Sequence, residues 1–276
     1  MDKTDRLRDY GLAFLLYEHG LGVCGYELIR ELFIFVKLIL NSYLFTNECS
    51  FTDDSICTLA IGYALVNGIS YEESLRSWCL AYPHPMGSYG GSFARWLASE
   101  NPQPYNSYGN GSAMRVSPVA WWFDNLEEVQ REAEKTALPT HNHSEGIKGA
   151  VATATAIFLA RKQGKEAMLA AMTVFYPQWV EPMLGQNRFD ETCQGTMPVV
   201  FGIINKANSF EEAIRYAIAV GGDSDTIGAI VGSIAEAIWG VPKEISDVAL
   251  SFLPNLMESN VAEFYKSLVV RRNGKG

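Results

Sequence analysis

Residues 222–238 read GDSDTIGAIVGSIAEAI, an acidic cluster followed by a regularly spaced apolar segment. From Ile227 onward the branched apolar residues recur at helical spacing, whereas a half-buried strand would alternate at every second position. Beside that apolar stripe, Gly228, Gly232 and Ala235 form a stripe of small residues, which lets neighbouring backbones approach closely. We therefore predict a central helix that begins next to the acidic cluster.

Helical spacing also occurs in other parts of the chain. Apolar residues follow it within Ile56–Ala64 and within Phe210–Ile218. Ser70-x-x-Glu73 and Ser209-x-x-Glu212 have the spacing of capping boxes, which favour helix starts. Small residues spaced four apart in Gly146-x-x-x-Ala150-x-x-x-Ala154 indicate a second closely packed helix. Strand-like alternation is scarce, so the sequence predicts an all-α fold.

Composition limits the domain organisation and the classes of partner. The chain has 276 residues, of which 48% are hydrophobic and 19% charged, so intrinsic disorder is excluded. We predict a single domain over residues 1–276. The net charge of -9 argues against a partner held by its phosphate backbone, so nucleic acid is not expected as a primary partner. A small phosphorylated ligand is compatible with this charge, because a few backbone N–H groups or a metal ion suffice to hold it.

Cysteine usage and hydropathy bear on location. The five cysteines are scattered, odd in number and form no C-x-x-C pair, as is typical of reduced core residues in a cytoplasmic protein. The longest apolar stretch, Leu32–Phe45, carries Lys37 and Asn41 and is shorter than the ~20 residues that span a bilayer. We predict a cytoplasmic monomer without a membrane partner.

Two segments place several oxygen-bearing side chains at predicted helix starts. Thr52-Asp53-Asp54 enters one helix, and Asp223-Ser224-Asp225-Thr226 enters another. In the simpler interpretation these residues are helix caps, whose oxygens accept free N–H groups and suit the helix dipole. A cap needs only one such side chain, however. If the segments meet, like charges about 4 Å apart repel by about 4 kcal/mol at an effective dielectric near 20, so the cluster needs protonation or cations. Oxygen-only ligands favour Mg²⁺, Mn²⁺ or Ca²⁺.

Residues 82–112 differ in composition from the segments around them. They are rich in Gly, Pro, Ser, Asn and Tyr, and a long segment of this kind is often a binding loop. Gly109-Asn110-Gly111-Ser112 can present successive backbone N–H groups to a diphosphate, although Asn-Gly is first of all a turn signal. Tyr89 is a candidate for stacking on a base, or for packing as a lid. His141 and His143 have no third nitrogen or sulfur ligand nearby and can equally be polar turn residues.

Four motifs follow one another along the chain and together resemble a known family. They are Thr52-Asp53-Asp54, Gly109-Asn110-Gly111-Ser112-Ala113-Met114-Arg115, His141-x-His143-x-Glu145-Gly146 and Gly222-Asp223-Ser224-Asp225-Thr226. In this order and rough spacing, over about residues 46–245, they resemble the ADP-ribosylglycohydrolase family. That family includes the enzyme that reactivates dinitrogenase reductase by removing ADP-ribose. The resemblance implies an all-α domain of orthogonal type with two Mg²⁺ or Mn²⁺ ions in a central cleft.

The resemblance also implies roles for individual residues. The ions would be held by Thr52, Asp53, Asp54, Asp223, Asp225 and Thr226. Substrate contacts would come from Gly109, Asn110, Gly111, Ser112 and His141, with Tyr89 as a further candidate. Hydrolysis would occur at C1″ of the terminal ribose of an ADP-ribosylated protein, with arginine as the modified residue, or of a related small molecule. Asp53 and Asp54 would be ligands first and candidates for proton transfer second.

Residues 1–45 depart from the family pattern. The usual opening Gly-Asp pair is missing, and Gly25-Tyr26-Glu27 is its only trace, which makes Glu27 the candidate for the acidic position that acts as acid/base or metal contact. Two function classes therefore stay open. The first is a metal-dependent ADP-ribosyl hydrolase, favoured by the intact acidic motifs. The second is a non-catalytic ADP-ribose-binding or crystallin-like structural relative.

Overall fold

Capping side chains mark where several helices begin. The computed structural model describes residues 44–182, 185 and 189–274. The backbone N–H of Glu73 donates to Ser70 Oγ at 3.1 Å, and that of Glu212 donates to Ser209 Oγ at 3.1 Å, so both predicted helix starts are confirmed. Asn125 caps a further helix in the same way.

The described elements are helical. In chain order they are α1 (Asp53–Asn67), α2 (Tyr71–Ala81), α3 (Gly91–Ala98), α4 (Gly111–Met114), α5 (Ser117–Trp122), α6 (Leu126–Ala137), α7 (Ser144–Gln163), α8 (Lys165–Phe175), α9 (Cys193–Lys206), α10 (Phe210–Val220), α11 (Ser224–Trp239), α12 (Lys243–Ser251) and α13 (Asn255–Asn273). Among the described residues, β pairing is limited to isolated bridges between Thr52 and Met86 and between Gly109 and Thr192. The all-α prediction is confirmed.

Helix α7 forms the centre of the packing. It contacts α4, α5, α6, α8, α9 and α11. Its alanines, including Ala150 and Ala154, are fully buried, and their small side chains let the neighbouring helices come close. At Gly146, an added Cβ would lie 2.6 Å from the carbonyl oxygen of Ser107, so the close approach predicted for this helix is confirmed. The helix therefore brings the segment before α4 next to its own first turn.

Helix α11 was predicted to be central, and it contacts α1, α4, α7, α9 and α10. Its small-residue stripe has a different role at each glycine. An added Cβ at Gly232 would lie 3.2 Å from Ile214 Cδ1, whereas at Gly228 it would meet no heavy atom of the described residues within 4 Å. Among the described residues, therefore, none accounts for a glycine at position 228 by close approach.

Several expectations depend on residues that the structure does not describe. Glu27 and most of the apolar stretch, residues 32–43, lie outside the described residues, and the single-domain assignment of 1–276 stays a prediction. The described residues lie in one unit, Ser42–Gly276. Within them, no helix combines the length and hydropathy needed to cross a bilayer. Cys57, Cys79 and Cys193 are buried free thiols, as expected, whereas Cys49 is only half-buried, so its placement in the core was wrong.

The packing predicts changes of opposite sign in the unfolding free energy for two glycine substitutions. In Gly202→Ala, the new Cβ would overlap the carbonyl oxygen of Val180, so we expect unfolding free energy to fall by about 1–3 kcal/mol or more. In Gly228→Ala, the matched control, there is room and better helix propensity, so we expect a gain of up to about 1 kcal/mol. Urea unfolding in the presence of a chelator measures the unfolding free energies of both variants. Equal stabilities of the two variants would contradict this packing.

Candidate functional site

The two acidic segments each begin a helix without acting as ordinary caps. Thr52 precedes α1 and Asp223 precedes α11, and neither side chain makes a capping hydrogen bond. Thr52 Oγ1 instead donates to Asp54 Oδ2 at 2.8 Å. Asp223 Oδ2 accepts from Asn110 Nδ2 at 2.6 Å. The simpler interpretation of these residues as caps therefore does not account for where their oxygens point.

The two segments meet. The pKa of Asp53 is raised from 3.8 to about 7, first by burial and then by the nearby charges of Asp54 and Asp225. Burial raises the pKa of Asp54 to about 6, and the charge of Asp225 adds to the rise, while hydrogen bonds from Thr52 and Thr226 oppose it. Burial, followed by the Asp225 charge, likewise raises the pKa of Asp223 to about 6. We call Asp53, Asp54, Asp223 and Asp225 the acidic cluster.

The acidic cluster has the chemistry of a cation site. Asp54 is only 4% exposed, and its Oδ1 atom is buried without a hydrogen-bond partner among the described residues. A buried carboxylate oxygen without a donor is destabilising unless a cation neutralises it. Oxygen-only donors and concentrated negative charge fit a hard divalent ion such as Mg²⁺ or Mn²⁺. The residues that could hold it are those of the cluster together with Thr52 and Thr226.

The carboxylates of the acidic cluster do not converge on one point as the ligands of a bound metal ion would. Among the described residues, no three His, Cys, Asp or Glu side chains are arranged closely enough to hold a metal ion as they stand. The raised pKa values reflect charge interactions among the carboxylates, which act over several ångströms. Coordination of an ion requires the oxygens to be closer together than that. Carboxylates that repel each other are expected to stand apart, and a bound cation would draw them together.

The segment around Gly109 is held by the chain that leads into α9. The N–H of Asn110 donates to the carbonyl of Glu191 at 2.7 Å, and the N–H of Cys193 donates to the carbonyl of Tyr108 at 2.9 Å. Cys193 Sγ adds a contact to the carbonyl of Gly109 at 3.1 Å. These contacts fix the glycine turn beside the acidic cluster. The sequence does not predict these contacts, because the paired residues lie more than 80 positions apart along the chain.

This arrangement corrects the predicted diphosphate cradle. The N–H of Gly109 already donates to Ser107 Oγ at 3.1 Å, and that of Asn110 is taken up by Glu191, so neither is free for a ligand. The side chain of Asn110 is buried and reaches Asp223, while Ser112 Oγ donates to the carbonyl of Gly146 at 2.7 Å. The N–H groups of Gly111 and Ser112 are the ones that a helix start leaves without intrahelical partners.

The two histidines have different environments. His143 Nδ1 accepts from the N–H of Glu145 at 3.1 Å, so this residue caps α7, in line with the simpler interpretation of it as a turn residue. His141 is buried and lies 2.7 Å from Thr140 Oγ1 through Nδ1. The opposite edge of its ring faces the glycine turn, since a Cβ at Gly111 would lie 3.1 Å from Nε2. His141 therefore borders the turn next to the acidic cluster.

The loop before α3 lies beside the acidic cluster. Gly87 has a φ of 78°, and a Cβ there would lie 3.7 Å from Asp225 Oδ2. Tyr89 holds this loop, because its hydroxyl donates to the carbonyl of Tyr82 at 2.8 Å and its ring packs on Phe93. These contacts assign Tyr89 an anchoring role, and its stacking on adenine stays a prediction.

A separate groove shows that cavity size does not identify this site. Its volume is about 660 Å³, and its walls include Leu65, Tyr71, Trp122 and Glu132. None of the four carboxylates lines it. The acidic cluster is identified by its unpartnered oxygen and its concentrated charge instead.

Comparisons with known proteins identify the family and agree with the fold. The family model described as ADP-ribosylglycohydrolase matches residues 19–266. ADP-ribosylhydrolase ARH3 of Mus musculus is 26% identical, over 71% of this chain and 71% of its own length. The ADP-ribosyl-dinitrogen reductase glycohydrolase of Rhodospirillum rubrum is 24% identical, over 78% of each chain.

A solved structure supports the fold alone. It is described as an ADP-ribosylglycohydrolase-related protein complex, and it superposes with a TM-score of 0.60 at 23% identity. The superposition covers 78% of this chain and 81% of that one. The family match includes both acidic segments and most of the described helices. The chain therefore belongs to the ADP-ribosylglycohydrolase family and is a hydrolase of glycosidic bonds.

Proposed function

We propose that this protein is a metal-dependent hydrolase that removes ADP-ribose from ADP-ribosylated protein, with arginine as the modified residue. The bond cleaved is the one at C1″ of the terminal ribose. The observation that carries the proposal is the convergence of the carboxylates of α1 and α11, with the unpartnered Asp54 Oδ1 between them and Mg²⁺ or Mn²⁺ as the ion that fits. The named Rhodospirillum rubrum relative supports a protein substrate.

Two Mg²⁺ or Mn²⁺ ions bound here would orient the ribose hydroxyls and a water molecule and lower the pKa of that water. The residues proposed to hold them are Thr52, Asp53, Asp54, Asp223, Asp225 and Thr226. Hydrogen bonds already fix part of this set, since Thr52 donates to Asp54 and Asn110 donates to Asp223. Asn110 thus acts on the proposed metal site through Asp223, in place of the substrate contact predicted for it.

The carboxylates have two further tasks in this proposal. One of them, Asp53 or Asp54, accepts the proton of the attacking water. Their negative charge also stabilises the oxocarbenium-like state that forms at C1″ as the leaving group departs. Asp53 is less deeply buried than Asp54, which places it closer to solvent and to an incoming water.

The first test removes one proposed ligand. Asp225→Asn keeps the shape of the side chain but removes its charge. We expect turnover of an ADP-ribosyl-arginine substrate to fall by at least about 100-fold, because the loss of a metal ligand should reduce activity at least as much as the loss of a group that orients one. The assay measures released ADP-ribose with Mg²⁺ or Mn²⁺ and separately with EDTA, which should abolish it. Asp247→Asn, at an exposed ion pair with Lys243, is the matched control and should retain activity.

Two outcomes would contradict the proposal. Release that persists in EDTA would show that no divalent ion is needed. Tight binding of ADP-ribose without any release by the wild-type protein would favour the non-catalytic class instead.

The second test uses the stability of the metal-free protein. Because the pKa of Asp53 is raised from 3.8 to about 7, its ionisation destabilises the fold above that pH, and stability should rise as pH falls from about 7 towards 4. Asp53→Asn removes the charge, so we expect a gain on the order of 1 kcal/mol at pH 7.5 that shrinks at pH 5. Urea unfolding in EDTA at both pH values measures it.

The same variant has an opposite effect when the ion is present. Mg²⁺ or Mn²⁺ should stabilise the wild type more than Asp53→Asn, because a ligand that binds only the folded state adds its binding free energy to stability. Equal stabilisation of both proteins by the ion would remove Asp53 from the proposed ligand set.

A further inference from the structure

Arg115 is a buried cation whose known partners are neutral. It is 1% exposed, and its Nη2 donates to the carbonyl of Thr136 and to Thr140 Oγ1, each at 2.8 Å. Within the part of the chain that the structure describes, its Nε atom is buried without a hydrogen-bond partner. Burying a guanidinium against neutral oxygens is destabilising, so the residue must contribute something that an apolar side chain would not.

The second partner of Thr140 shows what that contribution is. Thr140 is fully buried, and its Oγ1 accepts from Arg115 while lying 2.7 Å from His141 Nδ1. A guanidinium can only donate, so Arg115 occupies one lone pair of the hydroxyl, whose proton can point to Nδ1 or towards Tyr105. In the reverse arrangement an Nδ1–H dipole would point towards the guanidinium, which electrostatic repulsion disfavours. His141 Nδ1 is therefore the acceptor.

The proton of the neutral ring must then be on the other nitrogen. Burial lowers the pKa of His141, and the charge of Arg115 lowers it further, so the ring is neutral near pH 7. Nε2 faces the glycine turn, where a Cβ would lie 3.1 Å away at Gly111 and 3.5 Å away at Gly109. Because neither position carries a side chain, the backbone of the turn comes close to this edge of the ring.

We infer that Arg115 and Thr140 are positioning residues that hold His141 with its proton on Nε2, so that Nε2 donates to an oxygen of the ADP-ribose at the Gly109–Gly111 turn. The identity of that oxygen rests on the proposed function. An anionic oxygen is attracted by an N–H and repelled by a bare ring nitrogen, so only one tautomer serves binding. Arg115 selects it without touching the ligand.

The tautomer is measurable without any ligand. Correlation spectra of ¹H and ¹⁵N in histidine-labelled wild-type protein separate Nε2–H from Nδ1–H rings, and His141→Gln identifies the signal among the four histidines. We expect the Nε2–H form for His141. A wild-type ring protonated on Nδ1, or on both nitrogens at pH 7, would overturn the inference. Because the spectrum is recorded on wild-type protein, this test does not depend on whether a Thr140 variant folds.

A matched pair of variants tests the positioning role. Thr140→Val removes the hydroxyl and keeps the shape, so we expect mixed tautomers at His141 and about 5–10-fold weaker ADP-ribose binding by calorimetry, roughly the loss of one hydrogen bond. Thr140→Ser keeps the hydroxyl and should restore both the tautomer and the affinity. Wild-type affinity in Thr140→Val with an altered tautomer would overturn the role in binding.

The two proposals fail in different ways. If wild-type protein does not bind ADP-ribose while His141 carries its proton on Nε2, the proposed function is wrong and the tautomer assignment stands. If ADP-ribose binds and is hydrolysed while His141 is protonated on Nδ1, the proposed function stands and the role of Arg115 is wrong.

Discussion

The burial of Asp53, Asp54 and Asp223, together with their repulsion of one another and of the exposed Asp225, is the constraint on which the rest of the site depends. Asp53 and Asp54 are placed by the first turn of α1, while Asp223 and Asp225 are placed by the start of α11. The packing of those helices leaves the charges no means of moving far apart. A fold that keeps such a cluster is destabilised by it when no ion is bound, which is typical of sites retained for function and not for stability.

Neutral side chains around the cluster keep it in place. Asn110 links Asp223 to Thr196, at 2.6 and 3.0 Å, and so connects the glycine turn to both α9 and α11. On the other side of the same turn, Arg115 and Thr140 hold His141. The turn is thus fixed between the acidic cluster and a histidine, which suits a ligand that carries both ribose hydroxyls and phosphate oxygens.

Local signals in the sequence were sufficient for the helices, whereas the metal-binding role of the acidic residues was implied by the family resemblance and stays a prediction. The caps at Ser70 and Ser209 and the helical spacing of α11 depend on residues within two turns of each other, and they are found as predicted. The hydrogen bonds of Asn110 could not be predicted in this way, because its partners Glu191 and Asp223 lie far along the chain. Likewise, nothing local indicates that no described residue comes within 4 Å of a Cβ added at Gly228.

The central claim is that the acidic cluster binds divalent cations, and anomalous diffraction from crystals soaked in Mn²⁺ tests it most directly. The account predicts strong anomalous peaks between α1 and α11, within coordination distance of Asp54 Oδ1 and of the Asp225 carboxylate, about 2.0–2.1 Å for a Mg²⁺-like ion. It also predicts that the four carboxylates move closer together. An anomalous map with no peak there, in crystals soaked to saturation, would contradict it.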